Sequence, residues 1–380
     1  MPDRIQIVHL VRQYAPSVGG LEDAVANLCK HLSDMPDLRV RVVTLDRLFS
    51  DPERVLPRAA TVDGIPVARI PWHGSSRYPL ALSVLKPLEQ ADLVHVHAVD
   101  FFFDYMAWTK PIHRLPLVAS THGGFFHTEF AARAKKAYFE TVTRASCRAY
   151  HTICASSEND AATFRRIAPK KTIAIENGVN VDKWAGAGSP EATRTLIFIG
   201  RWSSNKRVPL LIDLVAALRA GGTDWRLIVA GVPDAETEES LAAHARDKGV
   251  AAAVEVHVKP DVAALKGLIA RAGYVASASA YEGFGLTIVE GLSAGLLPVV
   301  SPLAPFLKLV DALGDGVVID AADLAASADR LEAAYRRHAE DFPARRTAAM
   351  ALAARYAWPG VAQRFREVYD RALARRRPRK

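Results

Sequence analysis

The sequence predicts an α/β protein made of two doubly wound, parallel-sheet domains facing a cleft. Three observations predict it. Short apolar runs alternate with amphipathic helical patterns along all 380 residues. Most of the runs are continuous and rich in β-branched residues or Leu, as strands covered on both faces of a parallel sheet must be. A stretch with two Gly, a Ser and a Pro, Trp184-Ala-Gly-Ala-Gly-Ser-Pro-Glu191, separates them into two series.

The first series of strands is predicted at Ile5–Val11, Arg39–Leu45, Pro66–Pro71, Asp92–His97, Pro116–Thr121, His151–Ala155 and Lys171–Glu176. The second is predicted at Thr195–Gly200, Trp225–Gly231, Ala253–Val258, Gly273–Ala278, Leu296–Ser301 and Gly316–Asp320. Between them run helical stripes, such as Leu21, Val25, Leu28, Leu32 and Val208, Leu211, Val215, Leu218. The reading places one domain at 1–185 and another at 193–355. A final segment, 356–380, is expected to be a helix crossing back to the first domain. It begins at Trp358-Pro359, shows Val361, Phe365, Val368 and Ala372 on one face, and ends in a basic tail.

Composition narrows the class. Half the residues are hydrophobic and 24% are charged, which suits full cores rather than a disordered chain. The three cysteines, Cys29, Cys147 and Cys154, have no metal-like spacing, and a reducing compartment fits them. No apolar run reaches the roughly 18 residues of a spanning helix, and no secretory signal is evident. The charge is +8, from 49 Lys plus Arg against 41 Asp plus Glu, which favours phosphate-bearing partners. No zinc-finger spacing or RNA-binding aromatic signature supports nucleic acid. The tail from Arg371 to Lys380 holds six basic residues and no acid, as a frayed end or as an attraction to anionic headgroups.

Three loops follow predicted strands and open helices. Gly19-Gly20 would let the backbone approach a phosphate at a helix start, though a Gly pair also makes an ordinary turn. Gly200-Arg201-Trp-Ser-Ser-Asn-Lys206-Arg207 offers a bidentate fork and a mobile ammonium to a diphosphate leaving group. Glu282-Gly-Phe-Gly-Leu-Thr-Ile-Val-Glu290 carries two carboxylates about 10–12 Å apart along a helix expected to begin near Phe284. That span is comparable to the distance from a hexose to a ribose across a diphosphate. Carboxylates accept hydrogen bonds only, which suits sugar hydroxyls.

The Glu-x7-Glu pattern enclosing Gly-Phe-Gly-Leu resembles the retaining glycosyltransferases of family 4, which have the GT-B fold of two Rossmann-like domains. The Pro16–Glu22 loop, the pair Arg201 and Lys206, and Asn177–Asp182 follow the family's order over nearly the whole chain. The resemblance implies that the first domain takes an acceptor and the second a nucleotide sugar. It implies that Glu282 contacts sugar hydroxyls, that Phe284, Gly285 and Leu286 frame the diphosphate, and that Glu290 holds the ribose. The base-reading loop, Val256-His-Val258-Lys259-Pro260, departs from the family, which often has a Gly at one of the last two positions.

Ser120–Thr128 closes a predicted strand. In the family, the His at position 122 lies beside the reacting sugar. His127, with Phe126, would face the acceptor. The same stretch resembles, more narrowly, bacterial α-mannosyltransferases that extend a cellobiosyl-diphosphate lipid in acetan- and xanthan-type exopolysaccharide biosynthesis. This implies GDP-mannose as donor, cellobiosyl-diphosphopolyprenol as acceptor and an α-1,3 link. The segment from Phe130 to Tyr150 interleaves Arg133, Lys135, Lys136, Arg144 and Arg148 with Phe130, Tyr138, Phe139 and Tyr150, which suits an interfacial surface or a solvated helix. His95 and His97, at the end of a predicted strand, read as packing and hinge residues rather than ligands.

No Asp-x-Asp pair is present to hold a divalent cation, so no metal and no other cofactor is expected, and Arg201, Lys206 and helix termini would supply the positive charge. The sequence thus reads as a cytoplasmic, peripherally membrane-associated hexosyltransferase in which His122, Arg201, Lys206 and Glu282 are catalytic. Alternatives are a transferase with a UDP-sugar donor, a nucleotide-sugar 2-epimerase and a non-catalytic nucleotide-sugar-binding protein.

Overall fold

The computed structural model describes residues 4–76, 78–123 and 132–374 of the chain. The chain forms two compact units. One comprises residues 1–178 together with 358–380, and the other comprises Val179–Ala357.

The first unit holds an eight-stranded sheet. Its order is Thr172–Ala174, Thr152–Ala155, Leu117–Ser120, Leu93–His97, Ile5–Leu10, Leu38–Leu45, Ile65–Ile70 and Ala59–Val62. All neighbours are parallel except the last pair, an antiparallel edge hairpin. The central strands are buried along their length, which is why their sequences are unbroken apolar runs. Helix Gly20–Ser33 covers one face with Val25, Leu28 and Leu32. Helix Trp358–Ala374 packs beside it, burying Val361, Phe365, Val368, Tyr369 and Ala372 in the same core. Its mostly buried Arg366 side chain lies 2.6 Å from the exposed Asp37 carboxylate.

The second unit holds six parallel strands in the order Val254–Val258, Arg226–Pro233, Thr195–Trp202, Tyr274–Ser277, Leu297–Val300 and Val317–Val318. Numbered along this unit, the order is three-two-one-four-five-six, the dinucleotide-fold arrangement. Trp225, Tyr274 and Phe306 are among the large side chains it buries completely. At Gly200 and Gly231, register partners on neighbouring strands, both φ are +152°. A Cβ on Gly231 would lie 1.7 Å from the Gly200 carbonyl oxygen, so only glycine permits this approach.

Among the differences from the sequence expectation, two concern helices that it named. The helix near Glu282 starts at Leu286 instead of Phe284, because Gly285 takes φ +89° as its N-cap. A Cβ there would also meet the Phe306 ring at 2.6 Å. Second, the described part of the basic segment is helical, with a π-helical turn at Phe139–Thr143, but Phe139 and Tyr150 are buried. The Tyr138 hydroxyl bonds the Asp104 carboxylate. Phe139 packs edge-on against Phe164 and Tyr150 stacks on Phe103, so these two serve packing, not an interfacial surface; Phe130 lies outside the described residues. No helix among the described residues is long and apolar enough to cross a membrane.

Candidate active site

In the second unit the direction of winding reverses between strands Thr195–Trp202 and Tyr274–Ser277. Open α/β sheets bind ligands beyond the carboxyl ends of the strands at such a point. The loops following these strands carry Lys206 and Glu282, and the fold brings the two together. The Lys206 ammonium bonds the Glu282 carboxylate, with both side chains mostly buried. Glu282 also accepts from the Ser279 hydroxyl at 2.7 Å.

The loops are laced to each other. Arg207, at φ +48°, donates to the carbonyls of Ala278 and Ser279 at 2.7 and 3.0 Å. Asn205 donates from its side chain to Tyr281 at 3.0 Å, and its carbonyl accepts from the N–H of Ala280 at 2.8 Å. The ammonium and carboxylate therefore stand on a fixed frame, so little side-chain freedom is lost when a ligand arrives.

Arg201 is 71% exposed, with the Asp234 carboxylate 4.0 Å away, so its fork is accessible to an anion. Helix Leu286–Ser293 has no side-chain cap among the described residues, and the positive end of its dipole faces the loop. Phe284 packs edge-on against Tyr356, and Leu286 is exposed. Glu290, half-buried on this helix, has its pKa raised by burial, an effect that nearby Lys183 opposes. Val258 is exposed at its strand end. Lys259 has φ +45°, the left-handed conformation that glycine favours, and its N–H bonds the Gly231 carbonyl at 2.7 Å.

In the first unit, Gly19 is extended and precedes the uncapped helix Gly20–Ser33. The carboxylate of Glu22 folds over it, accepting from the Ser17 hydroxyl at 3.0 Å. A phosphate at this helix start would have to displace that carboxylate.

The winding of the first sheet reverses between Ile5–Leu10 and Leu93–His97, and four histidines gather there. His9 and His95 are register partners, and His95 and His97 share a strand face. His9 Nδ1 lies 2.9 Å from His97 Nε2, and His97 Nδ1 lies 2.9 Å from His122 Nε2. His95 bonds the Tyr369 hydroxyl at 2.7 Å and the Ser120 hydroxyl at 2.8 Å. His122 has φ +52°. Its neighbours hold it there: Asp160 accepts from the Thr121 hydroxyl and from the Gly123 N–H. Burial holds all four imidazoles below the ordinary histidine range, to about 3 for His9 and about 4 for His122. Ring nitrogens of His9, His95 and His97 lie within 4.8 Å of one another, the one metal-like grouping among the described residues. Those of His95 already engage hydroxyls, and those of His97 engage imidazoles. Phe126 and His127 lie outside the described residues.

Residues 183–347 match the family "Glycosyl transferases group 1", and residues 18–183 match "Glycosyltransferase Family 4". The chain is 42% identical over 371 residues to the GDP-mannose:cellobiosyl-diphosphopolyprenol alpha-mannosyltransferase of Xanthomonas campestris, covering 97% of each chain. The chain belongs to glycosyltransferase family 4. A second such mannosyltransferase, from Komagataeibacter xylinus, is 42% identical over 376 residues, covering 99% of this glycosyltransferase and 95% of that protein. Among solved structures, Anabaena HepE in complex with UDP superposes with a TM-score of 0.71 at 18% identity, over 97% of this chain and all of that one. At that identity the likeness shows the fold alone, which is GT-B.

The sequence reading did not single out His9, Ser279 or Asp160. Signals for the first were present: His-x-His in a predicted strand puts both rings on one face, and His9 stands near the end of the strand predicted first.

Proposed function

We propose that this glycosyltransferase moves mannose from GDP-mannose to cellobiosyl-diphosphopolyprenol, with retention and an α-1,3 link, in exopolysaccharide assembly. The observation that carries the reading is the Lys206–Glu282 ion pair at the winding reversal of the second sheet, beside the uncapped start of helix Leu286–Ser293. The identity to mannosyltransferases of that specificity supports the donor and acceptor.

In this reading the second unit holds the donor. Arg201, Lys206 and the helix N–H groups receive the diphosphate, with Phe284, Gly285 and Leu286 framing it. Glu282 accepts from sugar hydroxyls and Glu290 from the ribose. Val258 and Lys259 border the base. In the first unit, Gly19 and Gly20 approach the diphosphate, His122 stands by the mannose, and Phe126 and His127 serve the acceptor. The bond from the anomeric carbon to the diphosphate breaks. The acceptor oxygen bonds that carbon on the same side, and its proton passes to a diphosphate oxygen. The protein contributes position and charge stabilisation, without a metal or other cofactor.

A lipid-linked acceptor implies work at the cytoplasmic surface of the inner membrane. The first unit exposes Leu82, Trp108 and Ile112, at 66%, 61% and 74%, with Lys86 and Arg114 also exposed. The Tyr105 hydroxyl ties the Trp108 helix to the Leu82 carbonyl at 3.2 Å. A cavity of about 550 Å³ between Leu85, Lys86 and Ile112 adjoins them. Exposed apolar side chains with Lys86 and Arg114 nearby in the chain suit an anionic lipid surface; the exposed Glu89 also lines the cavity.

A thermal-shift panel of GDP, UDP, ADP, GDP-mannose and UDP-glucose tests the donor. GDP-mannose should raise the midpoint most. A larger shift with UDP-glucose would replace it with the UDP-sugar reading. Turnover of GDP-mannose to an epimer without acceptor would replace transfer with epimerisation.

A further inference from the structure

We infer that His9 and His97 are positioning residues that fix which nitrogen of His122 carries its proton, making His122 a hydrogen-bond donor through Nδ1. The inference rests on the placement of His122 beside the transferred sugar; the proton assignment itself rests only on the chain of rings.

The three imidazoles form one line: His9 Nδ1 to His97 Nε2, and His97 Nδ1 to His122 Nε2, each at 2.9 Å. The rings of His9 and His97 are stacked within 18° of parallel, at a centroid distance of 5.2 Å. A neutral imidazole has one N–H and one lone pair. Two inter-ring bonds among three neutral rings therefore allow only two arrangements, in which every proton points the same way along the line. Burial keeps all three rings neutral.

The far end of the line decides between them. His9 Nε2 is buried and has no hydrogen-bond partner among the described residues. If the protons point toward His9, a buried N–H is left without an acceptor. If they point toward His122, only a lone pair is left without a donor. A buried N–H without a partner is the rarer outcome in folded proteins. The protons therefore point outward: His9 Nδ1–H to His97, His97 Nδ1–H to His122 Nε2, and His122 left with its hydrogen on Nδ1. His122 Nδ1 has no partner among the described residues, and the φ of +52°, held through Asp160, sets the ring's direction.

The consequence is chemical. An Nδ1–H donates to an oxygen of the sugar and is the wrong tautomer to act as a base there. This agrees with a reaction in which the diphosphate takes the acceptor's proton. His95 is outside the line, since both its nitrogens engage hydroxyls.

Long-range ¹⁵N–¹H correlation spectra of histidine-labelled, unliganded full-length protein read the tautomers independently of any donor. The expected result is His122 and His97 protonated at Nδ1 and bare at Nε2. A hydrogen on His122 Nε2 would overturn the inference. So would one equivalent of zinc bound by His9 and His97, since it would break the line. With GDP-mannose and cellobiosyl-diphosphopolyprenol, His97→Leu should lower kcat at least tenfold with KM changed less than threefold. His97→Asn, whose amide can still donate to His122, should recover most of that loss. Equal kcat for both variants would reduce His97 to a packing residue. If His97→Leu does not fold, the spectra of the native protein still decide.

Discussion

The ammonium of Lys206 and the carboxylate of Glu282 bond each other although 76 residues separate them in the chain. Each is held by a loop laced to the other loop. Removing one partner leaves the other charge mostly buried and uncompensated. Lys206→Met and Glu282→Gln should therefore each lower turnover at least tenfold. The double variant should lose little more than the worse single one, because the two act as a unit. Steady-state kinetics of the four proteins checks this, and full additivity would separate their roles.

Gly231→Ala should destabilise the protein by about 3 kcal/mol, because the new methyl group meets a backbone carbonyl and not a movable side chain. Urea unfolding is the measurement. Gly222→Ala, also at positive φ but facing open space, should cost about 1 kcal/mol.

The buried histidines give a pH dependence with a definite sign. His9, His95 and His97 are neutral in the folded protein, while unfolded histidine takes up a proton near pH 6.5. Their contribution is complete above that pH and is lost as pH falls toward about 3, the value for His9. Each contributes a slope of at most about 1.4 kcal/mol per pH unit. Asp100 opposes them: burial raises its carboxyl to about 7, so its contribution is complete below about 4 and lost as pH rises through 7. Thermal midpoints should fall between pH 6.5 and 5, less steeply in His9→Gln. Asp100→Asn should raise the midpoint at pH 8 relative to pH 5.

Trp108→Ser with Ile112→Ser should weaken binding to phosphatidylglycerol vesicles at least fivefold without changing the thermal midpoint, since both side chains are exposed. Added salt should weaken binding of the native protein as well. Vesicle co-sedimentation checks both.

Transfer should persist in EDTA, because Arg201 and Lys206 supply the charge the diphosphate needs. Loss of activity that Mg²⁺ restores would contradict this.

The parallel strands were legible because burial on both faces writes unbroken Val, Ile and Leu runs; their ends shift by only a residue or two. The edge hairpin strand Ala59–Val62 and the exposed Asp51–Val55 strand were not, because half-exposed or solvated strands carry no such run. Lys206, Glu282 and Glu290 could be named from loop position and family pattern. That Lys206 and Glu282 touch could not, since it depends on strand order. The histidine line was hidden for the same reason: His-x-His reads as packing until parallel pairing sets His9 level with His95.

The chain leaves the first unit at Gly178 and returns at Trp358. The second unit is therefore one uninterrupted piece of polypeptide, complete when Ala357 is made. The first is not. Until the closing residues leave the ribosome, its sheet lacks the cover of Val361, Phe365 and Tyr369, and His95 lacks the hydroxyl that binds it. The first unit's core therefore cannot be complete before residues 358–374 are made, although most of that unit precedes the second in the chain.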